Sequence, residues 1–139
     1  MDTSPDRVQV GGGHYKTMAY QPGHFSEDIC LSALEGSVVR YVSRWRTKNG
    51  IEDLRKAAHT VELLRLWSPR NVRHVDSAHA VGSYIALNHI RAQEAAVIRA
   101  ICVWRSVDDR RVQDRILDSI VESLTAIIEK EGLTCLQLT

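Results

Sequence analysis

A short run of the chain concentrates groups that could hold an anion. Arg40, Arg44, Arg46 and Lys48 follow one another with no acid between them. At about 100° per residue, Ser37, Arg40, Tyr41, Arg44 and Lys48 fall within roughly a third of a helix circumference. Val38, Val42 and Trp45 occupy the adjoining face, as a packed side would. Asn49-Gly50 then makes a turn that folds the next helix back on the first. Lys56 and Thr60 lie on one side of that second helix, with Asp53 placed to orient Arg44 or Lys48. A phosphate held by two guanidinium groups, with an acid fixing their geometry, fits this set chemically. A solvated helix surface would carry a similar pattern on composition alone. The turn and the second polar row are what favour an anion site.

Other motifs give less. Gly11-Gly12-Gly13-His14-Tyr15-Lys16-Thr17 resembles a phosphate loop only superficially. Tyr15 precedes the Lys-Thr pair where Gly is needed, and the glycines are wrongly spaced. Backbone amides of a Gly-rich turn can still meet an anion without that motif. The six histidines are scattered, and no set of three or four has ligand spacing, so no metal site is expected. His59 and Glu62 share a helix face at i, i+3 without further partners. There is no nucleophile elbow and no catalytic cysteine motif. Nucleic-acid binding through Arg40, Arg44, Arg46 and Lys48, interleaved with Tyr41 and Trp45, has only a short patch to work with.

Composition keeps any such site local. The 139 residues are 44% apolar and 25% charged, with a formal net charge of +1. Residues 1–70 hold ten Lys/Arg against eight Asp/Glu, and residues 71–139 hold eight against nine. No global field would attract DNA or a membrane surface. Cys30, Cys102 and Cys135 are widely spaced and odd in number, which points to a reducing, cytoplasmic setting without a disulfide framework. Cys102 sits in an apolar run and reads as a core thiol. No apolar stretch is long enough to span a bilayer.

The elements that must position these residues read as all-α: a small helical domain with a helix-turn-helix pair followed by a longer helical hairpin. Residues 1–13 form a flexible N-terminal segment, 14–68 the helical anion-binding unit, and 76–132 a C-terminal hairpin that packs on it or mediates oligomerisation. Ser26 is an N-cap for a helix running to about Thr47, which Gly36 splits in two. A second helix runs from Ile51, with Leu54, Ala58, Val61 and Leu64 as its stripe, and Ser68-Pro69 stops it. One long helix is expected from about Asp76 to Trp104. Its heptad-like Leu87, Ile90, Val97, Ile101 and Trp104 are interrupted by Glu94. Asp108 or Asp109 caps the last helix, about 110–131, which Gly132 ends. Ile116, Ile120, Leu124 and Ile127 line one side of it, widened by Leu117, Val121 and Ile128. Self-association through excess apolar surface is the alternative to an intramolecular hairpin.

An ordered set of short motifs also carries a resemblance. His14-Tyr15-Lys16, Met18-Ala19, Gln21-Pro22 and Phe25 precede Glu35-Gly36. Arg40-Tyr41-Val42-Ser43-Arg44-Trp45-Arg46, Lys48-Asn49-Gly50 and Glu52-Asp53-Leu54-Arg55-Lys56-Ala57 follow, then His59 and Leu63-Leu64. Over about residues 13–66 this resembles the small bacteriophage family DUF3310, described as phage nucleotide kinase-like. The resemblance implies a phage or prophage protein of the host-cell cytoplasm that binds a nucleotide or related phosphorylated ligand, with Mg2+ as a companion of the nucleotide. It implies His14, Tyr15, Lys16, Tyr41, Arg44, Lys48, Asp53 and Lys56 as contact residues, beside the Arg40 of the cationic face. Arg44 and Lys48 would hold phosphates, Asp53 would orient them or a metal, and Tyr15 would stack on a base. Ser37 and Thr60 depart from the family pattern, and the segment after Pro69 lies outside it. The alternative is a non-catalytic inhibitor or sponge acting on a host defence protein or nucleotide signal.

Overall fold

The computed structural model describes residues 18–73 and 76–138, with side chains as far as Leu133. The expected flexible segment 1–13 lies outside these residues. Six helices run through them: α1 (Pro22–Asp28), α2 (Ala33–Arg44), α3 (Ile51–Trp67), α4 (Ala78–Leu87), α5 (Ala92–Val103) and α6 (Arg110–Leu138). No strand occurs among the described residues, so the chain is all-α. No described helix is long and apolar enough to cross a membrane.

α2 and α3 form an antiparallel pair, α5 lies against α2, and α6 packs on both α3 and α5. α1 packs on α2 and α4, and α4 also on α5. One core runs through all six helices, built on Phe25, Val38, Leu54, Tyr84, Ile98 and Leu124. Leu54, Val61 and Leu64 are buried as their spacing predicts, but Ala57 rather than Ala58 completes the stripe. In α6, Ile120, Leu124 and Ile127 are buried with Leu117, while Ile116 is only half-buried.

Several helix ends differ from those expected. The first break comes at Cys30, not Gly36. Leu31 N–H bonds to Ser26 O at 2.9 Å and Cys30 N–H to Glu27 O at 3.3 Å, with Cys30 at φ 56°. That is a Schellman ending. Gly36 instead sits inside α2, where a Cβ would meet Ser26 Oγ at 2.9 Å. Its lack of a side chain lets α1 approach. The expected single helix over 76–104 is broken in the same way. Ile90 N–H bonds to Ile85 O at 3.0 Å and His89 N–H to Ala86 O at 3.3 Å, with His89 at φ 54°. The heptad-like seam therefore does not run through, and Leu87, its first member, is 54% exposed. At the far end, Gly132 does not stop α6, which continues to Leu138.

Ser26, expected as an N-cap, lies inside α1, where Gln21 holds the N-cap position, and α2 ends at Arg44 rather than about Thr47. The turn before α3 and the start of α6 lie where the residue types put them. Gly50 takes φ 61° at the α2–α3 turn and bonds to Trp45 O at 2.8 Å. Of the two expected caps for α6, Asp109 Oδ1 does the work, accepting from Arg111 and Val112 N–H at 2.9 and 3.3 Å.

The start of α2 ties the layers together. Ser32 Oγ accepts from Glu35 N–H at 3.2 Å, and Glu35 Oε1 accepts from Ser32 N–H at 2.8 Å, a capping box. The same carboxylate is fully buried. Trp104 Nε1 donates to its Oε2 at 2.7 Å, and Arg73 donates to its Oε1 in an ion pair. Burial alone would raise the Glu35 pKa. The Arg73 guanidinium, the Ser32 amide and the Trp104 indole outweigh it and hold the carboxyl below its usual value.

A carboxylate with a lowered folded-state pKa stabilises the fold above its unfolded value, and that contribution is lost as pH falls through the folded value. Glu35→Gln should therefore cost about 3 kcal/mol near neutrality, because the amide strands Arg73 and brings a donor toward Trp104. Urea denaturation measures the loss. The gap to the wild-type chain should narrow as the pH is lowered below about 4.

Candidate functional site

α2 and α3 meet along a groove of 410 Å³ lined by Tyr41, Glu52, Arg55, Lys56, His59 and Thr60. The α3 members follow i, i+3, i+4, i+7, i+8 spacing, so they form one face of the helix. Lys56 and His59 are exposed, and Tyr41 is half-buried at the α2 wall. Thr60 is nearly buried and turns its hydroxyl back to Lys56 O at 2.7 Å. Arg55 and Glu52 face each other at 3.8 Å with both side chains largely in solvent, a spacing worth little energetically.

The Tyr41 ring is held from α2 itself. Arg44 Cζ lies 5.1 Å from its centroid and Arg40 Cζ 5.7 Å. Arg40 also donates to Ser37 Oγ at 3.2 Å. Arg44 is in turn anchored to Asp53, with Nε to Oδ2 at 3.1 Å and Nη2 to Oδ1 at 3.4 Å. Asn49 Nδ2 adds a third donor to Asp53 at 3.1 Å. The Asp53 side chain is wholly buried and that of Arg44 is 11% exposed. The expected orientation of Arg44 by Asp53 is thus present, as a buried clamp joining α2 to α3 behind the groove.

The four cations of the opening run therefore divide. Arg44 is clamped to Asp53. Arg46 lies 4.1 Å over the Trp45 ring and bonds to the buried Glu94 of α5 at 3.2 Å. Arg40 flanks Tyr41, and Lys48 is exposed in the turn. Of the sequence-predicted contact residues, the groove gathers Tyr41 and Lys56, with Arg40 and Arg44 adjoining Tyr41. Asp53 lies beneath it. His14, Tyr15 and Lys16 lie outside the described residues.

Arg55, His59 and Glu52 join the groove without having been marked as ligand contacts. Their common spacing with Lys56 on α3 was the available signal. Glu52 and Asp53 diverge, one to solvent and one to the core, so they do not converge on a cation. Among the described residues no group of three His, Cys, Asp or Glu side chains is placed to hold a metal. Cys102 is mostly buried, and burial with the nearby Glu35 charge pushes its thiol up to about 12, which keeps it neutral.

No family model, curated protein or solved structure matches the chain.

Arg44→Ala should destabilise the fold by about 3 kcal/mol, because Asp53 would remain buried without its cation. Arg44→Lys should recover only part of this, since an ammonium cannot make the two-point contact. Chemical denaturation of the two variants gives both values.

Proposed function

We propose that the α2–α3 groove binds a phosphorylated small molecule of nucleotide type. The observation that carries this reading is a groove that gathers Lys56, Arg55 and His59 with one half-buried aromatic residue, Tyr41. Lys56 and Arg55 offer charge-assisted donors to phosphate oxygens. Tyr41 offers an aromatic contact for a base, its ring position set by Arg44 and Arg40. Glu52 accepts a hydroxyl from a sugar. The resemblance of residues 13–66 to a phage family described as nucleotide kinase-like points the same way.

Binding without phosphoryl transfer is the form of the reading these residues support best. Transfer needs charge neutralised at the moving phosphoryl group, by positioned cations and a carboxylate-held metal. The groove supplies cations and the single carboxylate of Glu52. A sponge for a nucleotide signal, or an inhibitor that recognises one, fits such a binding-only set.

A thermal-shift screen with nucleoside mono-, di- and triphosphates and cyclic dinucleotides tests this. A ligand at 100 times its Kd should add roughly 2.7 kcal/mol of stability. Lys56→Ala should weaken that ligand about tenfold or more. Chromatography of the mixture should return the ligand unchanged, and conversion to another nucleotide would make the protein an enzyme. A flat screen sinks the proposal.

A second reading, a protein partner or self-association, has its own observation. Leu66 and Trp67 end α3 side by side with 76% and 68% exposure. Large apolar groups left together in water commonly mark a contact surface. Sedimentation should then show an oligomer that Trp67→Ala dissociates, or a bound host protein that the same change releases. A monomer that captures nothing removes this reading.

A further inference from the structure

A second recess lies at the open end of the α4–α5 hairpin, away from the His89 turn that joins the two helices. It measures 440 Å³ and is lined by Asp76, Ser77, Val81, Arg99, Ala100 and Val103, with Ala78 at the start of α4. It shares no residue with the α2–α3 groove. Val81, Ala100 and Val103 give it an apolar side, and Val103 is left 45% exposed. Asp76 and Arg99 are both exposed and add one acid and one base. Neither makes a hydrogen bond or ion pair among the described residues, with the other or with a third group.

Ser77 is the residue that ordinary helix chemistry does not account for. It holds the N-cap position of the ten-residue α4, yet its side chain makes no cap bond. Its backbone, at φ −109° and ψ −6°, lacks the extended form of a capping serine. Ser32 shows the contrast, with φ −66°, ψ 164° and a complete capping box. Ser77 is only 8% exposed, and its hydroxyl has no hydrogen-bond partner among the described residues. A hydroxyl so placed normally finds one. It is not sealed from water as the Trp45 indole nitrogen is, so it opens on the recess that the residue lines. The first intrahelical bond of α4 runs from Val81 N–H to Ser77 O at 2.8 Å. The amides of Ala78, His79 and Ala80 precede it, with no side-chain cap and no acid in the first turn.

We propose that this recess binds a free α-amino acid with an apolar side chain. The carboxylate accepts from the Ser77 hydroxyl and the first-turn amides of α4, with Arg99 as its counter-charge. The ammonium goes to Asp76. An α-amino acid carries both charged groups on one carbon, and Asp76 and Ser77 are adjacent in the chain. The side chain lies on Val81, Ala100 and Val103, where it removes apolar surface from water. One acid and one base that are not paired with each other match a zwitterion. A simple anion would face Asp76 and a simple cation would face Arg99, each an opposing charge. The volume falls within the range of about 300–1,000 Å³ usual for small-molecule sites.

Calorimetric titration of the full chain with L-phenylalanine and L-leucine tests this. At least one should bind saturably. Its N-acetyl derivative lacks the ammonium and its amide lacks the carboxylate, and each should bind about tenfold more weakly or worse. Asp76→Asn should weaken the amino acid about tenfold and leave the N-acetyl derivative unchanged. Asp76 is exposed and bonds to nothing in the fold, so this change spares stability. Ser77→Ala should weaken the amino acid and its N-acetyl derivative alike, because both keep the carboxylate. Lys56→Ala, in the other groove, should leave every titration unchanged. No saturable binding of either amino acid overturns the proposal. So do derivatives that bind as well as the parent, indifference to Asp76→Asn, or loss of binding on Lys56→Ala.

Discussion

Glu35 stands where three distant parts of the chain meet. Its backbone belongs to the first turn of α2, and its side chain completes that helix's own cap. Its two oxygens also take the Arg73 guanidinium from the connector and the indole of Trp104 at the end of α5. A carboxylate taken out of water is tolerated only when its lone pairs are met, and here each oxygen is. The constraint works outward. The start of α2, the path of the segment after α3 and the end of α5 must all hold their places for one acid to remain ionised. The mostly buried Cys102 nearby stays a neutral thiol through its burial and, beyond that, through this charge.

The same principle sorts the cations of α2. An arginine facing a neighbouring helix becomes a structural tie once an acid lies opposite. Arg44 finds Asp53 on α3, and Arg46 finds Glu94 on α5. These ties fix the helices that flank α2 on its two sides. The basic side chains left open to solvent beside this pair are displaced by one helix, to Arg55, Lys56 and His59 of α3. Tyr41 is the point at which the two sets touch, with structural Arg44 next to its ring and the open groove at its edge.

Much of the fold was legible in local chemistry. Asn49-Gly50 and Ser68-Pro69 bound their helices because their backbone preferences admit little else, and Asp109 caps α6 as a short acceptor should. The breaks at Cys30 and His89 were not legible. Both end their helices in the left-handed conformation that glycine usually supplies, and neither residue type signals it. The actual glycines pulled the other way. Gly36 serves the approach of Ser26, and Gly132 rides inside α6. For the candidate site, helical spacing put Tyr41 and Lys56 on one groove and placed Asp53 against Arg44. It could not reveal that this contact would be buried, or that Arg46 would be drawn to Glu94, because the partners' burial and the 48-residue separation of the latter pair are set only by packing.

The reach of Glu35 has a consequence for the order in which the chain comes off the ribosome. Its partners lie 38 and 69 residues downstream. While α2 and α3 are emerging, the acid that caps α2 has neither its guanidinium nor its indole, and it must stay wet. The helix pair that carries the groove already has its Arg44–Asp53 tie within reach, yet the Glu35 carboxylate can leave solvent only when Trp104 arrives. Translation thus delivers the groove residues early and the last partner of Glu35 late.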